Sequence, residues 1–296
     1  MSRIVVTGSS GLIGTPLVAA LRQRGDEVVR LVRRPPRGAD EVQWDPTSRI
    51  LDPRTLDAVD GVVHLAGAGV GDKRWTPAYK HEILASRVDS THAVAEAVAA
   101  ADHPVRLVSG SAVGFYGDRG DEELTEASSP GNDFLSDVVI AWEAATQPAV
   151  DAGASVALLR TGIVMAPEGG AMKPMLRLAR LGAGGALGSG RQFMPWITLQ
   201  DEVGAIMHLL DHPEVTGPIN LTASKPARQK EIAKALGAAL HRPAVLPAPS
   251  FALRAVLGEF AMEVLGGQRI VGDALRDSGY QLIHGDLDTA VRWLVA

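Results

Sequence analysis

The chain of 296 residues has no cysteine, which removes disulfides, thiolate metal sites and a cysteine nucleophile, and suits a reducing compartment. The cytoplasm is the expected location. Positive charge is not in excess: 29 Lys and Arg face 34 Asp and Glu, a formal charge of −5. A polyanion has no general attraction for such a chain, so nucleic acid is not an expected partner. Long apolar runs are missing too. The stretch 93–101 is broken by Glu96 and falls well short of the ~20 residues that a spanning helix needs, so no membrane span or membrane partner is expected. Met1-Ser2-Arg3 leads at once into an apolar run, so the basic region, apolar core and cleavage site of a secretory signal are not expected. Among the histidines there is no H-E-x-x-H, and no metal site is expected. Repeats at solenoid periods are also lacking.

What is present is a globular composition, 46% hydrophobic and 21% charged, long enough for a large α/β domain or a nucleotide domain with a smaller lobe. Ile4-Val5-Val6 is a β-branched run that ends in glycines, and residues 12–24 follow with helical apolar spacing that stops at Gly25-Asp26. A second β-branched run at 28–32 completes a parallel βαβ unit. Further strands are expected at 41–44, 61–67, 105–109 and 155–160, with helices near 78–100 and 133–150. This alternation predicts an α/β fold, a doubly wound parallel (Rossmann) sheet over 1–165, with its ligand beyond the carboxyl ends of the strands. Glycine clusters and prolines then punctuate a helix-rich remainder. It reads as a smaller C-terminal substrate lobe over 166–296, of which about 193–222 returns to the sheet.

Between the first strand and helix, Thr7-Gly8-Ser9-Ser10-Gly11-Leu12-Ile13-Gly14 spaces three glycines three residues apart. The first permits a sharp turn, the second lets backbone approach a pyrophosphate, and the third lets helix and strand pack closely. With the free N–H groups of the helix N-terminus, Gly8, Ser10, Gly11, Leu12, Ile13 and Gly14 form the expected dinucleotide loop. An NAD site presents an acid to the ribose about twenty residues further on. Here Arg33 and Arg34 stand there. Guanidinium groups suit a 2′-phosphate, so the expected cofactor is NADP(H).

With these residues go His64-Leu65-Ala66-Gly67, Arg74-Trp75, Ser86-Arg87-Val88, Ser109 through Gly117, Arg160-Thr161-Gly162, and Gly190 through Phe193 running into Pro195-Trp196. Together they resemble the extended short-chain dehydrogenase/reductase superfamily, and more closely its atypical SDR39U1-like branch, labelled epimerase-family proteins. From about residue 247 the chain is also similar to that branch's helical C-terminal extension. The resemblance implies that Leu65, Ala66 and Gly67 line the adenine and ribose side of the cofactor. It also implies that Ser111 takes the place of the catalytic Ser/Thr, and that a homodimer packed through the long central helices is common.

One departure stands out. The family's Tyr, and the Lys four residues later that lowers its pKa, fall by family spacing at Leu135 and Val139, and no Tyr-x-x-x-Lys exists anywhere. Tyr116 is a candidate surrogate acid, or else a packed tyrosine with a satisfied hydroxyl. Arg87 replaces a family Asn and either binds an anion or pairs with Glu82 or Asp89. His64 reads as a core histidine, and the acidic stretch 118–126 as a solvated face. Trp75, Phe193 and Trp196, with Arg191 near two of them, suit either an apolar pocket or core filling. The leading expectation is an NADP(H)-dependent oxidoreductase that transfers hydride to or from a small molecule. A non-catalytic NADP(H) sensor and a nucleotide-sugar epimerase are the alternatives.

Overall fold

The computed structural model describes residues 1–296. β1 (Arg3–Thr7), α1 (Gly14–Arg24), β2 (Glu27–Val32) and the short β3 (Glu41–Gln43) come first. β4 (Gly61–His64), α2 (Pro77–Ala99), β5 (Arg106–Ala112) and the two-residue β6 (Glu123–Leu124) follow. Next are α3 (Phe134–Ala144), α4 (Gln147–Asp151), β7 (Val156–Thr161), β8 (Ile163–Met165) and α5 (Met172–Arg180). β9 (Phe193–Met194), β10 (Trp196–Thr198), α6 (Leu199–Asp211), β11 (Gly217–Leu221), β12 (Ala227–Arg228) and α7 (Gln229–Ala239) lead to the last segment. That segment holds α8 (Ser250–Leu257), α9 (Ala261–Leu265), β13 (Arg269–Ile270), α10 (Asp273–Asp277) and α11 (Leu287–Val295).

Seven strands form one sheet in the order β3-β2-β1-β4-β5-β7-β11, every pair parallel. Both faces are covered, so the central strands carry apolar runs such as Ile4-Val5-Val6, Val62-Val63 and Leu107-Val108, with polar residues toward their ends. Ile4 and Val6 point to the face under α1 and α6, where Leu17, Leu21, Ile206 and Leu209 bury. Val5 points to the opposite face, under α2 and α4, with Val94, Val98 and Ala149. Each fully buried branched side chain stabilises by roughly 1.5–3 kcal/mol, so these two layers hold the sheet. A third core joins α5, α7 and α11 around Trp196.

Local chemistry explains most element ends. Gly25 closes α1 in the left-handed conformation at φ 96°, its N–H on Arg22 O. The single helix expected over 133–150 is two, α3 and α4, broken at Ala145 and Thr146. Pro148 has no N–H to donate and its ring crowds the carbonyl four residues back, while the Thr146 hydroxyl donates to Glu143 O at 2.7 Å. Thr7, His64 and Ser109 share one row across β1, β4 and β5. Loops 8–13 and 65–67 and Ser111 therefore emerge at the same carboxyl edge.

Candidate active site

At the nucleotide end the backbone is laid open. Gly8 has φ +63°, and a Cβ there would lie 2.6 Å from Leu65 O; at Gly14 it would lie 2.2 Å from Gly8 O. Those two glycines are demanded by the protein itself. Gly11 is different: a Cβ would meet only Gly8 O, at 3.2 Å, so the space it leaves faces outward. The Leu12 and Ile13 amides donate to no protein group, and α1 has neither a side-chain cap nor an acid in its first turn. Unpaired donors at a helix start suit a phosphate. The residues present therefore fit a dinucleotide.

The two arginines past β2 part company. Arg34 forms a bidentate pair with Glu41 on β3, both contacts at 2.7 Å; with the Arg37 amide it holds the Glu41 carboxyl down at about 2. Arg33 is exposed and makes no ion pair. Of the two arginines expected to meet a 2′-phosphate, Arg34 already has a carboxylate and Arg33 has none.

Loop 65–67 is fixed from below. Thr7 Oγ1 accepts from the Leu65 and Ala66 amides at 3.0 and 3.2 Å, so its own proton goes to His64 Nδ1 at 2.8 Å. His64 Nε2 then donates to Ser90 Oγ at 3.1 Å, which donates to Ser86 O at 2.6 Å. His64 is fully buried, and burial drives its pKa down to about 3. It is a neutral core histidine tying β1, β4 and α2 together.

Arg87 backs the same loop. A Cβ on Gly67 would lie 3.3 Å from Arg87 Cγ, and the guanidinium stands 5.1 Å from the Trp142 ring centre. Its hydrogen bond is to Ile83 O at 3.0 Å. Glu82 pairs with Lys73 and Asp89 with Arg49, so neither acid on its own helix neutralises Arg87. Burial lowers its pKa to about 10, which leaves it a cation at neutral pH.

The reaction end is a closed network. Ser111 Oγ donates to Glu143 Oε1 at 2.6 Å. Arg160 clasps both Glu143 oxygens, at 2.8 and 2.9 Å, and reaches the Tyr116 hydroxyl at 3.0 Å. Tyr116 in turn donates to Asn220 Oδ1 at 2.7 Å. Leu135 and Val139 lie on the α3 face against Gly114, eight and four residues before Glu143 and hence on its side of the helix. The idea of Tyr116 as a surrogate acid is corrected by this geometry. Its ring is wholly buried, its hydroxyl is engaged as donor and acceptor, and burial raises its pKa.

A model of the NAD dependent epimerase/dehydratase family matches residues 4–221. The chain belongs to that family. A domain of unknown function, DUF1731, matches residues 248–294. The epimerase family protein Mb2239 of Mycobacterium bovis is 43% identical over 97% of this chain and 96% of its own. Human epimerase family protein SDR39U1 is 37% identical over 99% of this chain and 100% of its own. A crystal structure of human SDR39U1 with NADPH matches at TM-score 0.91 and 35% identity, covering 99% of both chains. A nucleoside-diphosphate sugar epimerase from Corynebacterium glutamicum matches at TM-score 0.79 and 34% identity, over 99% of this chain and 58% of that one.

Within this epimerase-family fold, other sequence expectations shift. The acidic stretch after Tyr116 is a solvated face, with Asp118, Asp121, Glu122 and Glu123 all exposed, and it also serves as a joint. Asp121 pairs with Arg228 and Glu123 with Arg269, Asp118 accepts the Gly267 amide at 2.9 Å, and Glu126 accepts the Asn220 amide at 3.0 Å. The three aromatics do not share a pocket. Trp75 packs on Phe134 and Phe260, Trp196 is core, and Phe193 lies under Arg228. His208 and His212 form an i, i+4 pair that the sequence reading passed over. Their rings stack at 3.9 Å, and no third ligand joins them.

Glu143, Asn220 and Glu202 were missed as site residues. Glu143 was legible as the residue eight after Leu135 on one helical face. Glu202 is fully buried beside the site strand, accepts from Thr161 Oγ1 at 2.8 Å and has no partner for Oε2; burial pushes its pKa up to about 8.

Proposed function

We propose that this chain is an NADP(H)-dependent oxidoreductase of the extended short-chain type, acting on a small molecule with an anionic group. The observation that carries the reading is a set of donors on one edge that no carboxylate neutralises: the unpaired Leu12 and Ile13 amides, Arg33, and Arg87, whose hydrogen bond is to the Ile83 carbonyl. The amides and Gly11 hold the pyrophosphate, and Arg33 holds the 2′-phosphate by charge-assisted hydrogen bonds. When bound, the cofactor supplies a hydride donor or acceptor. Human SDR39U1, similar over the whole chain, is crystallised with NADPH, which supports the cofactor assignment.

Ser111 and Glu143 take over proton handling. The Ser111 hydroxyl proton is donated in a hydrogen bond to Glu143, so the oxygen lone pairs of Ser111 are free to accept a substrate O–H. The Ser111 proton then moves to Glu143 as the substrate proton moves to Ser111, and the reverse sequence protonates a substrate oxygen. Arg160 holds the Glu143 carboxylate in place. Arg87 orients the substrate's acidic group.

A second reading, an NADP(H) sensor without turnover, is favoured by the aliphatic pair Leu135 and Val139, which cannot move a proton. NADPH-loaded protein is screened against carbonyl compounds, and NADP⁺-loaded protein against alcohols, following reduced-nicotinamide absorbance. Turnover that is lost in Ser111→Ala supports the enzyme. Tight cofactor binding with no turnover of any carboxylate- or phosphate-bearing substrate supports the sensor.

A further inference from the structure

In a chain of net charge −5, two segments, 169–200 and 232–258, contain no Asp or Glu at all. The fold brings them together. The Leu246 amide donates to Gly184 O at 3.2 Å and the Ala248 amide to Ala186 O at 2.8 Å, and Leu178 and Leu246 line one shallow apolar cleft. Lys173, Arg177 and Arg180 on α5, Arg242 in the connecting loop and Arg254 on α8 are all exposed. None of these five makes an ion pair, whereas Arg24, Arg30, Arg34, Arg119 and Arg228 on other faces hold carboxylates.

Large apolar side chains are exposed on the same adjoining segments. Leu181 is 73% exposed, Val245 72%, Phe251 77% and Val256 75%, and α8 buries none of its residues. A water-facing surface has no reason to collect such side chains in one place. We propose that the face built from α5, residues 240–249 and α8 docks on the surface of a bilayer that carries anionic lipid headgroups. Aliphatic side chains enter the headgroup boundary while the surrounding guanidinium and ammonium groups meet the lipid charge. No helix is long and apolar enough to cross a membrane, so the mode is one of lying on the surface. This revises the expectation of no membrane partner, which rested on the lack of a span and on net charge, a sum that hides a one-sided patch.

Two other occupants fit less well. A second copy, meeting this face about a two-fold axis, would set unpaired cations against unpaired cations. A nucleic acid would want stacking platforms, and Phe251 is the one aromatic among the exposed residues of the patch.

The test is flotation of the full chain with vesicles of phosphatidylcholine alone and of phosphatidylcholine mixed with phosphatidylglycerol. The expected result is binding to the mixed vesicles only. Both the double variant Arg177→Gln/Arg180→Gln and the double variant Phe251→Ser/Val256→Ser should weaken it by about tenfold or more. Ile50→Ser/Ile283→Ser, at exposed positions outside the patch, should leave it unchanged. Unaltered thermal midpoints show that the variants are folded. The proposal is overturned by absence of binding to mixed vesicles, by equal binding to neutral ones, or by indifference to either patch variant. Loss in the charge variant alone also overturns it, since that marks a polyanion rather than a bilayer.

Discussion

The two ends of the cleft are furnished in opposite ways. At the nucleotide end charge and donors are left over: the Leu12 and Ile13 amides have no partner, Arg33 makes no ion pair, and Arg87 is a cation that meets the Ile83 carbonyl but no carboxylate. At the reaction end each polar group is paired, from Ser111 through Glu143, Arg160 and Tyr116 to Asn220. The first end is complete only with a ligand, while the second is complete within itself. Binding is therefore written into the resting structure, whereas chemistry requires Ser111 to engage a substrate while it still serves Glu143.

The sharpest way to break this contrast is at Ser111. Ser111→Ala should lower turnover by about 10²–10⁴-fold, the range of a lost acid–base group, and leave NADPH affinity unchanged; steady-state kinetics beside a binding titration check both. A rate unchanged in this variant would place the reaction elsewhere. Next comes Glu143→Ala, which leaves Arg160 buried without its carboxylate, the Arg160 side chain being 4% exposed. Removing one partner of such a pair destabilises by about 3–5 kcal/mol, to be read from the denaturation midpoint. No comparable loss is expected from Arg33→Ala, whose side chain supports nothing.

Glu202 sharpens the comparison through pH. The folded chain keeps the Glu202 proton up to about 8, whereas an unfolded glutamate releases it near the ordinary value of about 4.3. The unfolded state thus binds fewer protons in that window, so this residue makes stability fall as pH rises from the ordinary value toward 8, and the decline levels off above it. Glu202→Gln should flatten that slope, measured as the denaturation midpoint against pH. An identical slope in wild type and variant would show that Glu202 is ionised in the fold.

Local features of this architecture were legible in the sequence. The run from Ile4 through Gly14 to Gly25 declares strand, loop and helix because each signal lies within a few residues of what it controls. Features that depend on strand pairing were not. Arg33 and Arg34 look alike until β3 sets Glu41 beside one of them. Glu143 and Arg160 meet only because α3 packs over β5 and β7, and the burial of Tyr116 depends on Asn220 from the last strand of the sheet. The break between α3 and α4 was visible in Pro148, but helical apolar spacing on either side masked it. The acidic loop is exposed as read, but its ties to Arg228, Gly267 and Arg269 were hidden because those partners lie more than a hundred residues away in sequence.

The smallest expected effect tests the central claim most directly. NADPH and NADH are titrated into wild type, Arg33→Ala and Arg34→Ala. Loss of charge-assisted phosphate hydrogen bonds, each worth about 1.5–3 kcal/mol, should weaken NADPH binding to Arg33→Ala by about 10–100-fold and leave NADH binding unchanged. Arg34→Ala, already held by Glu41, should change the ratio of the two affinities much less. Equal or tighter binding of NADH by the wild type, or an NADPH preference that survives the loss of Arg33, would contradict the account.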